Sequence, residues 1–582
     1  MAPSRIIFLD TETKAKASGA YTHHAFRIGW SRFVRLDTEL NVTADKWDFW
    51  SDKYDICRFI KDNCHDKTAT WIITHNAFFD LQVIGFFNLY TYWGWQLDFI
   101  YDKGLSFILV IHKGQQTIKV ISSTNYFDYS LKQIGEEIGL PKLDVDFKKS
   151  TLTELKTYCR RDVEILSTAV LQYMRFNKEH DTGNFSLTKA SQAFACYRHR
   201  FMESKIYIHS NKVVQELERN AYFGGRTECF RVGKIPGDDF VCLDVNSMYP
   251  YIMKNYRMPT KLLDYRKNPG YEYYERHKDS TCQVAHARIS TDKQHYAVRK
   301  NGKLIFPIGD FDCYLSTGGL QLAAEQGHLA DIHEIATYHC QYIFSEYIDY
   351  WYDLKCKYKR EGNKSYTKIT KIFLNALYGK FGMKKTIEEM IDAPEGTLPY
   401  RLQNMDLDSG LTWIEFCIFN KAIRQFGQME TATSIVAIPA HITEYARLYL
   451  YELINRLPAG EVYYCDTDSL FIARKNIKYF ADLLDPEKLG GLAIDKEFRS
   501  LAINGCKDYV IDGVRTVKGV PKRAEKIGPD LYKYDEFMGM SKHLRMGEAG
   551  EYYTQSRTKL VSPKYDKGQV HPDGSVTPFL LS

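Results

Sequence analysis

The stretch Val462-Tyr-Tyr-Cys-Asp-Thr-Asp-Ser-Leu-Phe-Ile472 consists of two short apolar runs on either side of a tight polar turn. This pattern predicts two antiparallel strands joined by a turn that carries Asp466 and Asp468. A further buried strand is predicted at Phe240-Val-Cys-Leu243, and Asp244 ends it. Carboxylates from two neighbouring strands can hold divalent cations, so Asp244 and Asp468 are the main metal ligands predicted here. Spacing leaves two roles open for Asp466: a further metal ligand, or a charge that tunes the site.

A strongly basic helix is predicted from Tyr347 to Phe381, between these acidic segments. Residues separated by 4, 3, 4 and 3 positions form one stripe along it: Lys364, Lys368, Lys371, Asn375 and Tyr378. Lysines at helical spacing usually form a solvated face. Here the stripe ends in an amide and an aromatic ring before Gly379, a composition that suits a triphosphate and a base. We expect Lys371 to stabilise charge on a transferred phosphoryl group and Tyr378 to pack against a base pair.

A second acidic set lies near the N-terminus. Asp10 and Glu12 follow the apolar run Ile6-Ile-Phe-Leu9 and, two positions apart in extended chain, share one face. The set is completed by Asp80, after the apolar run Trp71-Ile-Ile73, and by Tyr158 and Asp162, four apart on a helix predicted from Leu152 to Phe176. Each carboxylate alone is more simply a surface group or a strand-end cap. Together, four acidic groups could hold two Mg²⁺ ions for phosphodiester hydrolysis, with Tyr158 orienting the attacking water.

The composition limits the class of protein. The 582 residues carry 78 Lys and Arg against 72 Asp and Glu, a formal net charge of +6, which neither requires nor excludes an anionic partner. No apolar run approaches the roughly 18 residues that span a bilayer, and no signal-peptide pattern precedes Asp10. A cytoplasmic protein without a membrane partner is therefore expected. The 13 cysteines form no Cys-x-x-Cys pair, which argues against a disulfide framework or a cysteine-based zinc module.

The N-terminal set resembles the three motifs of the proofreading 3′–5′ exonuclease domains of DNA polymerases. The motifs are Asp-x-Glu at Asp10 and Glu12, Asn-x-x-Phe-Asp at Asn76 to Asp80, and Tyr-x-x-x-Asp at Tyr158 to Asp162. The resemblance implies that Asn76 and Phe79 contact the single-stranded primer end. It also implies a catalytic lysine at Lys149, with Lys148 as a competitor, and a single-strand-binding element at Ser123-Thr124.

The other acidic set and the basic helix resemble the polymerase motifs of family B DNA polymerases. The motifs are Asp-x-x-Ser-x-Tyr-Pro at Asp244 to Pro250, Lys-x-x-x-Asn-x-x-Tyr-Gly at Lys371 to Gly379, and Tyr-x-Asp-Thr-Asp-Ser at Tyr464 to Ser469. The resemblance implies a DNA-directed DNA polymerase that uses two Mg²⁺ ions per active site, or Mn²⁺ in their place, with primer-template DNA and dNTPs as partners. It implies that Tyr249 lies under the deoxyribose and excludes a 2′-hydroxyl. The implied nucleotide-binding residues are Tyr249, Lys364, Lys371, Asn375 and Tyr378.

Further short elements resemble DNA-contacting motifs of the same family. Tyr222-Phe-Gly-Gly225 looks like the Tyr-x-Gly-Gly element between exonuclease and polymerase domains. Lys507-Asp-Tyr509 resembles the Lys-x-Tyr motif that grips the primer strand, and Ile442-Thr-Glu-Tyr-Ala-Arg447 resembles a template-contacting element. The implied DNA contacts are Tyr222, Gly224, Gly225, Arg447, Lys507 and Tyr509.

The C-terminal segment from about Pro521 contains Lys522, Arg523 and Lys526, whose phosphate contacts would be independent of DNA sequence. Lys518, just before it, is a candidate contact to duplex DNA. Near the end of the chain, His571-Pro-Asp-Gly-Ser575 predicts a hairpin turn, with Ser556 to Val561 as the partner strand.

The chain has a compact length and two insertions beside the basic helix, and in both respects it resembles the protein-primed polymerases of bacteriophages and linear plasmids. Those enzymes start synthesis on a hydroxyl of a terminal protein. An α/β multidomain monomer is expected, with an RNase H-like 3′–5′ exonuclease domain and a right-hand polymerase. If the source is viral, it acts in the host cytoplasm. The expected parts are 1–184 (exonuclease domain), 185–255 and 431–520 (palm), 256–346 (first insertion, contacting terminal protein or DNA), 347–382 (fingers), 383–430 (second insertion, for processivity and strand displacement) and 521–582 (thumb).

Other functions stay open. Within the same class, the chain would extend ordinary nucleic-acid primers. From a different class, it would be an exonuclease or DNA-binding protein with an inactive polymerase site. The intact Asp244, Lys371, Asp466 and Asp468 argue against that alternative. A reverse transcriptase is disfavoured because Thr467 separates Asp466 from Asp468, where that group has two adjacent acids.

Overall fold

The computed structural model describes residues 2–147, 149–546, 551–562 and 564–582 of an α/β chain built from several sheets. The N-terminal elements are β1 (Arg5–Ser18), β2 (Tyr21–Leu36), β3 (Val42–Trp50), α1 (Lys53–Asp62), β4 (Thr70–Thr74), α2 (Ala77–Val83), α3 (Phe86–Tyr92), β5 (Gln96–Lys103), β6 (Ser106–Lys113), β7 (Gln116–Ser122), α4 (Leu131–Glu137) and α5 (Leu152–Glu179). Their strands run in the order β2-β1-β4-β7-β6-β5, with β3 on β2, and form the N-terminal sheet.

The N-terminal sheet is held by apolar residues that the sequence places in its central strands. Ile6 to Leu9 are fully buried in β1, which runs parallel to β4, and β4 runs parallel to β7. Helix α5 begins at a capping box, in which Thr151 Oγ1 accepts from the backbone N–H of Glu154 and the Glu154 carboxylate accepts from that of Thr151. The predicted helix from Leu152 to Phe176 is confirmed and ends three residues later, at Glu179.

A second group of elements follows, α6 (Lys189–Cys196), α7 (Lys212–Ala221), β8 (Thr227–Cys229), β9 (Gly233–Lys234), β10 (Phe240–Val245) and α8 (Met248–Asn255). The first insertion then contains β11 (Met258–Lys267), α9 (Tyr271–His277), β12 (Cys282–Thr291), β13 (Val298–Lys300), β14 (Lys303–Ile305), β15 (Ile308–Ser316), α10 (Thr317–Glu325) and β16 (Leu329–Gln341). Strands β11-β16-β12-β15 form one antiparallel sheet in that order.

Two helices, α11 (Ser345–Arg360) and α12 (Lys364–Phe381), occupy the segment where one basic helix was predicted. The prediction of a single helix from Tyr347 to Phe381 is wrong. Gly362 has a φ of 71°, which breaks the first helix, and the Asn363 side chain caps the second by accepting from the N–H of Tyr366. Phe176 of α5 packs against Trp351 of α11 and Phe373 of α12, which joins this helical pair to the N-terminal part.

The second insertion forms a small sheet in the order β17-β20-β19-β18, from β17 (Lys384–Asp392), β18 (Tyr400–Met405), β19 (Thr412–Ile418) and β20 (Lys421–Glu430). Its turn residue Phe419 packs against Phe86 and Phe87 of α3. The next elements are α13 (Ala437–Asn455), β21 (Val462–Asp466), β22 (Ser469–Ala473), β23 (Leu492–Phe498), β24 (Leu501–Gly505), β25 (Asp508–Ile511) and β26 (Val514–Val517). Strands β23-β10-β22-β21-β8 form the central sheet.

The C-terminal segment adds to sheets formed by earlier residues. It contains β27 (Glu525–Lys526), β28 (Leu531–Phe537), α14 (Met540–Met546), β29 (Tyr552–Leu560), β30 (Gln569–Val570), β31 (Val576–Thr577) and β32 (Leu580–Leu581). Strand β29 pairs with both β28 and β2 and so extends the N-terminal sheet, while β32 pairs with β15 of the first insertion. The hairpin turn at His571–Ser575 is confirmed between β30 and β31, but the predicted partner strand at Ser556–Val561 is wrong, because those positions belong largely to β29.

Candidate active sites

The N-terminal carboxylates come together at the middle of the N-terminal sheet. Asp10 and Glu12 lie inside β1, which continues beyond the predicted short strand, and strand alternation keeps their side chains on one face. Asp80 lies in α2, and its Oδ1 accepts from the backbone N–H of Thr11 at 3.0 Å and from Thr11 Oγ1 at 2.7 Å. Asp162 of α5 completes the cluster. The structure thus brings together all four carboxylates that the sequence selected.

Burial and mutual repulsion govern the charges in this cluster. Burial raises the pKa of Glu12 to about 8 and that of Asp80 to about 7, and it raises the pKa of Asp10 well above its usual range. The Asp162 carboxylate adds to the effect at Asp10 and Glu12. Asp162 Oδ1 is itself buried without a hydrogen-bond partner among the described residues. Several carboxylate oxygens lie close together here, and one of them is buried without a partner among the described residues, which fits a hard divalent cation. The raised pKa values mean that these carboxylates hold protons more readily than usual, and a bound cation would take the place of those protons.

Among the lysines that the structure describes, Lys142 is the one that contacts this cluster. Its Nζ forms an ion pair with Asp162 and lies 4.7 Å from the ring centroid of Tyr158, which is largely buried on α5. The predicted Lys149 has an exposed side chain, and its described contact is a backbone hydrogen bond to Asp146, so its predicted place at the carboxylates is not supported. Lys148, its competitor, lies outside the described residues. Lys142 comes 20 positions before Asp162 in irregular chain, so no helical or strand periodicity connects the two in sequence.

The residues proposed to touch a single strand lie at the edge of the same site. Asn76 is exposed and has a left-handed backbone with a φ of 74°, and its N–H donates to Ser122 Oγ. Phe79 is half-buried, with its ring centroid 4.7 Å from that of Tyr552 of β29. His75 hydrogen bonds to Ser123 Oγ at 2.9 Å. Asn76, His75 and Tyr552 line one open groove. The C-terminal strand therefore forms part of the wall of this groove.

The second carboxylate site lies at one end of the central sheet. Asp244, near the end of β10, pairs in register with Ser469, the residue after Asp468. The N–H of Val245 donates to Asp468 O at 2.8 Å, which fixes the Asp466–Asp468 turn beside Asp244. Burial raises the pKa of Asp244 to about 7, with a further contribution from Asp468, and burial raises the pKa of Asp468 to about 6. Two partly buried carboxylates that repel each other suit a shared divalent cation.

Asp466 is committed to protein contacts. Both of its carboxylate oxygens accept from Lys507 Nζ at 2.8 Å. Oδ1 also accepts from Thr227 Oγ1 at 3.0 Å, and Oδ2 accepts from the Tyr464 hydroxyl at 3.3 Å. The N–H of Lys507 donates in turn to the Tyr464 hydroxyl. Of the two roles left open by spacing, these contacts favour a charge that positions the turn.

The Tyr222–Gly225 element packs directly against the acidic turn. A Cβ atom at Gly225 would lie 2.8 Å from Thr467 Cγ2, whereas a Cβ at Gly224 would meet open space. The N–H of Thr467 also donates to Arg226 O at 2.7 Å. Gly225 therefore permits a close approach of two backbone segments that side chains would prevent.

Arg447 does not reach a surface on which DNA could lie. It is only 3% exposed on the buried helix α13, and its Nη1 donates to the carbonyl oxygens of Phe223 and Gly224. Burial lowers the pKa of its guanidinium to about 10. The prediction of a direct template contact is therefore corrected. Arg447 instead stabilises the Tyr222–Gly225 element through hydrogen bonds to its backbone.

Helix α12 presents its polar stripe to solvent near Asp244. Lys364, Lys371 and Asn375 are exposed, and the ring of Tyr378 lies 4.9 Å from that of Tyr249 on α8. The stripe is interrupted at Lys368, whose Nζ forms an ion pair with Glu137 of α4. Tyr509 is half-buried against Tyr464, and Lys518 is exposed with its N–H donating to Lys507 O.

Lys355 of α11 is a site residue that sequence reasoning missed. It is 7% exposed, and its Nζ donates to Asn246 Oδ1 at 2.8 Å and Ser247 Oγ at 2.9 Å, in the loop after Asp244. Burial, with help from the nearby Lys371, lowers the pKa of Lys355 to about 8. Lys355 is one of many lysines in a segment whose sequence indicates a basic, solvent-exposed helix face. Its burial therefore could not be recognised from residue spacing.

A family model described as DNA polymerase type B, organellar and viral, matches residues 101–457, which is more than half of the chain. The chain belongs to this family. The predicted membership of family B is thereby confirmed. The matched range includes Asp244 and the α12 motif but stops before the acidic turn at Asp466 and Asp468.

The chain is similar to several curated proteins. A probable DNA polymerase of Neurospora intermedia is 27% identical over 406 residues, which cover 66% of this chain and 40% of that protein. The DNA-directed DNA polymerase of Enterobacteria phage PRD1 is 24% identical over 403 residues, 68% of this chain and 66% of that protein. The chain thus spans less than half of the fungal relative and about two thirds of the phage one.

Solved structures share the fold of this chain. Phi29 DNA polymerase complexed with primer-template DNA superposes with a TM-score of 0.71 at 16% identity, over 96% of this chain and 100% of that chain. The same polymerase complexed with single-stranded DNA gives a TM-score of 0.65 at 18% identity, over 88% and 89% of the two chains. The α/β multidomain polymerase fold is therefore established. Among the described residues, no helix combines the length and apolar character needed to cross a bilayer.

Proposed function

We propose that this chain is a DNA-directed DNA polymerase with a 3′–5′ proofreading exonuclease, and that each reaction has its own carboxylate site. One observation carries the proposal: the register of β10 with β22 brings Asp244 beside Asp468, close enough to α12 for Lys371 to affect the Asp244 carboxylate. The separate cluster of Asp10, Glu12, Asp80 and Asp162 in the N-terminal sheet supports the second reaction.

At the central site, Asp244 and Asp468 would hold Mg²⁺, or Mn²⁺ in its place, because both ligands are carboxylates and each is repelled by neighbouring charge. When bound, these ions acidify the primer hydroxyl and neutralise charge on the triphosphate. The exposed Lys371 binds the triphosphate of the dNTP, with Lys364 and Asn375 on the same stripe. Lys355 orients the Asn246–Ser247 loop through two hydrogen bonds and so supports the strand end that bears Asp244.

Tyr249 and Tyr378 form an aromatic pair at the nucleotide position. Their ring centroids are 4.9 Å apart, and they come from two different helices, α8 and α12. We infer that Tyr378 packs against the new base pair and that Tyr249 lies under the sugar. A bulky ring at that position excludes a ribonucleotide because the 2′-hydroxyl would meet it. Lys507 and Tyr509 contact the primer strand. The ion pair with Asp466 orients the Lys507 side chain.

At the N-terminal site, Asp10, Glu12, Asp80 and Asp162 would hold Mg²⁺. Asp162 Oδ1, which is buried without a partner in the described part of the chain, supports that fit. Tyr158 orients the attacking water, and Lys142 offsets negative charge beside it. The frayed 3′ end binds to Asn76, which lines the groove, and to Phe79, whose ring packs against Tyr552 of the groove wall. We therefore assign residues 1–184 to the exonuclease and residues 185–255, 347–382 and 431–520 to the polymerase.

Protein priming is the finer part of the proposal. The two insertions, 256–346 and 383–430, flank the α11–α12 pair, and the similarity to Phi29 DNA polymerase extends over 96% of this chain. We infer that a monomer uses a terminal protein as its first primer, with the first insertion as the contact. Incubation with labelled dATP and a candidate terminal protein tests this: a covalent protein–nucleotide product supports it, and labelling that requires a nucleic-acid primer contradicts it.

Template-directed incorporation tests the proposed activity itself. Purified chain is given a primed template and one dNTP at a time, and only the complementary dNTP is expected to extend the primer. Asp244→Asn is expected to abolish extension, because one cation ligand loses its charge. Asp408→Asn, an exposed carboxylate of the second insertion, is the matched control and retains extension. Extension by Asp244→Asn at the rate of the control would refute the assignment.

A further inference from the structure

Three side chains that commonly bind metals converge on the solvent face of the first insertion. His286 on β12, Asp312 on β15 and His333 on β16 each place one ligand atom within 4.8 Å of the others. The three strands are adjacent in the sheet, in the order β16-β12-β15. All three side chains are at least partly exposed, so a cation could reach them from solvent.

A β-bulge produces this convergence. Across β12 and β16, His286 pairs with Glu334 while the next residue, Ala287, pairs with Ile332. His333 is therefore the extra residue of the bulge, and it shares the solvent face with Glu334 instead of pointing into the core. Regular alternation would have buried one of the two. Bulges that aim a side chain in this way are common beside functional sites.

A further carboxylate lies near one ring nitrogen of each histidine. His333 Nε2 lies 3.0 Å from Asp312 Oδ1, and its other ring nitrogen, Nδ1, lies 3.6 Å from Asp331 Oδ2. His286 Nδ1 lies 4.0 Å from Glu334 Oε1, and the ring stacks on Tyr314 at 4.4 Å. Carboxylates that accept from the distal nitrogen orient a metal-binding imidazole and increase its basicity. Here Asp331 and Glu334 lie beside Nδ1 of His333 and of His286 at 3.6 and 4.0 Å, longer than a direct hydrogen bond, so each places negative charge near its ring.

We propose that His286, Asp312 and His333 bind a divalent transition metal, with Zn²⁺ preferred. Two imidazoles and one carboxylate match the donor types of zinc and leave a fourth position for water. Mg²⁺ prefers oxygen ligands and does not compete well for such a set. A bound ion would cross-link β15, β12 and β16.

The competing interpretation is an ion-pair cluster. Arg288 Nη1 lies 3.5 Å from Asp312 Oδ1, the oxygen that His333 also contacts. In that case the face would hold its charges without a metal. The two interpretations differ in metal content, and neither depends on the polymerase activity proposed above.

Metal content in the presence of excess Mg²⁺ separates them. The full chain, free of any affinity tag, is stripped with a chelator, loaded with Zn²⁺, and dialysed against millimolar Mg²⁺, which keeps the carboxylate sites occupied. Wild type is expected to retain about one equivalent of Zn²⁺. His286→Ala and His333→Ala are expected to lose it. His199→Ala, which removes a histidine from a lone exposed pair with Asp181, is the matched control and is expected to retain it.

Two further measurements keep the result clear. Asp312→Asn keeps the shape of the side chain and a hydrogen-bond acceptor and is expected to lose zinc, and its thermal unfolding is compared with that of wild type to separate a loss of zinc from misfolding. Substitution with Co²⁺ should give a d–d absorption band in wild type and His199→Ala that is absent from His333→Ala. Zinc content equal in wild type and His333→Ala, or zinc fully displaced by Mg²⁺, would overturn the proposal.

Discussion

Lys507 Nζ lies 2.8 Å from both carboxylate oxygens of Asp466. The two acids of the turn therefore have different partners. The carboxylate of Asp466 pairs with Lys507, whereas the backbone carbonyl of Asp468 accepts a hydrogen bond from Val245, in the strand that bears Asp244. The Lys-x-Tyr segment and the acidic turn therefore behave as one unit. A change at Lys507 should alter the electrostatics of the central site as well as any contact with DNA.

Lys507→Met should slow nucleotide incorporation about tenfold and change its pH dependence. Lys507 lowers the pKa of Asp468, which burial raises to about 6. Removing the lysine therefore raises the pKa of Asp468 further, and the acidic limb of the pH–rate profile should move to higher pH. Lys496→Met, an exposed lysine on β23, is the control and should leave the profile unchanged. An unshifted acidic limb in Lys507→Met would show that the lysine does not act through the turn.

Gly225→Ala should reduce incorporation by about 100-fold, the cost typical of moving catalytic groups by about 1 Å. The added Cβ would lie 2.8 Å from Thr467 Cγ2 and displace the turn between Asp466 and Asp468. Gly224→Ala is a closely matched control, because a Cβ there meets open space. Single-turnover incorporation and 3′–5′ degradation are measured for both variants. Equal incorporation by the two would mean that the close approach at Gly225 does not position the turn.

Lys142→Ala should lower 3′–5′ degradation by about 100-fold, because it removes the cation paired with Asp162 and adjacent to Tyr158. Lys149→Ala, an exposed lysine of the same segment, should degrade single-stranded DNA at the wild-type rate. Polymerisation by both variants should be normal. The opposite ranking of the two lysines would restore the prediction made from sequence.

The metal-free protein should lose stability as the pH rises from about 5 to 8. The pKa of Glu12 is raised to about 8 and that of Asp80 to about 7, above their values in the unfolded chain, so the folded state binds more protons in this range. Stability is then highest when these groups are protonated and falls as they ionise. Thermal unfolding across this pH range measures the effect. Mg²⁺, or the double change Asp10→Asn with Glu12→Gln, should flatten the decline, and an equally steep decline in the double variant would place its cause elsewhere.

Tyr249→Val should admit ribonucleotides, since the ring that meets a 2′-hydroxyl is removed. The ratio of incorporation of a dNTP to that of the matching ribonucleotide should fall at least tenfold. Tyr378→Phe keeps a ring in contact with position 249 and should retain discrimination. Unchanged sugar selection in Tyr249→Val would remove the residue from this role.

The sequence predicted the parts that depend on local order along the chain. Asp466 and Asp468 lie in a turn between short strands, and Asp10 and Glu12 share a strand face, because period and turn chemistry are local properties. The break between α11 and α12 was also signalled locally, by Gly362 and Asn363, but the basic composition on both sides suggested continuity.

The remaining features depend on distant residues. Lys142, Lys355 and Arg447 have the same side-chain types as many surface residues, and only tertiary packing distinguishes those that are buried or paired. The pairing of β29 with β2 joins positions more than 500 residues apart, so no local signal could indicate it. The partial burial of Asp244 and Asp468, which raises their pKa values, likewise follows from the assembled central sheet.

The central claim is that two independent carboxylate sites carry out opposite reactions at one primer end. The most direct test is to incubate Asp468→Asn with a 5′-labelled primer-template, Mg²⁺ and all four dNTPs, and to resolve primer lengths on a gel. We predict that the primer is shortened from its 3′ end and never extended, while wild type extends it. Extension by Asp468→Asn, or loss of both extension and shortening in a folded variant, would contradict the account.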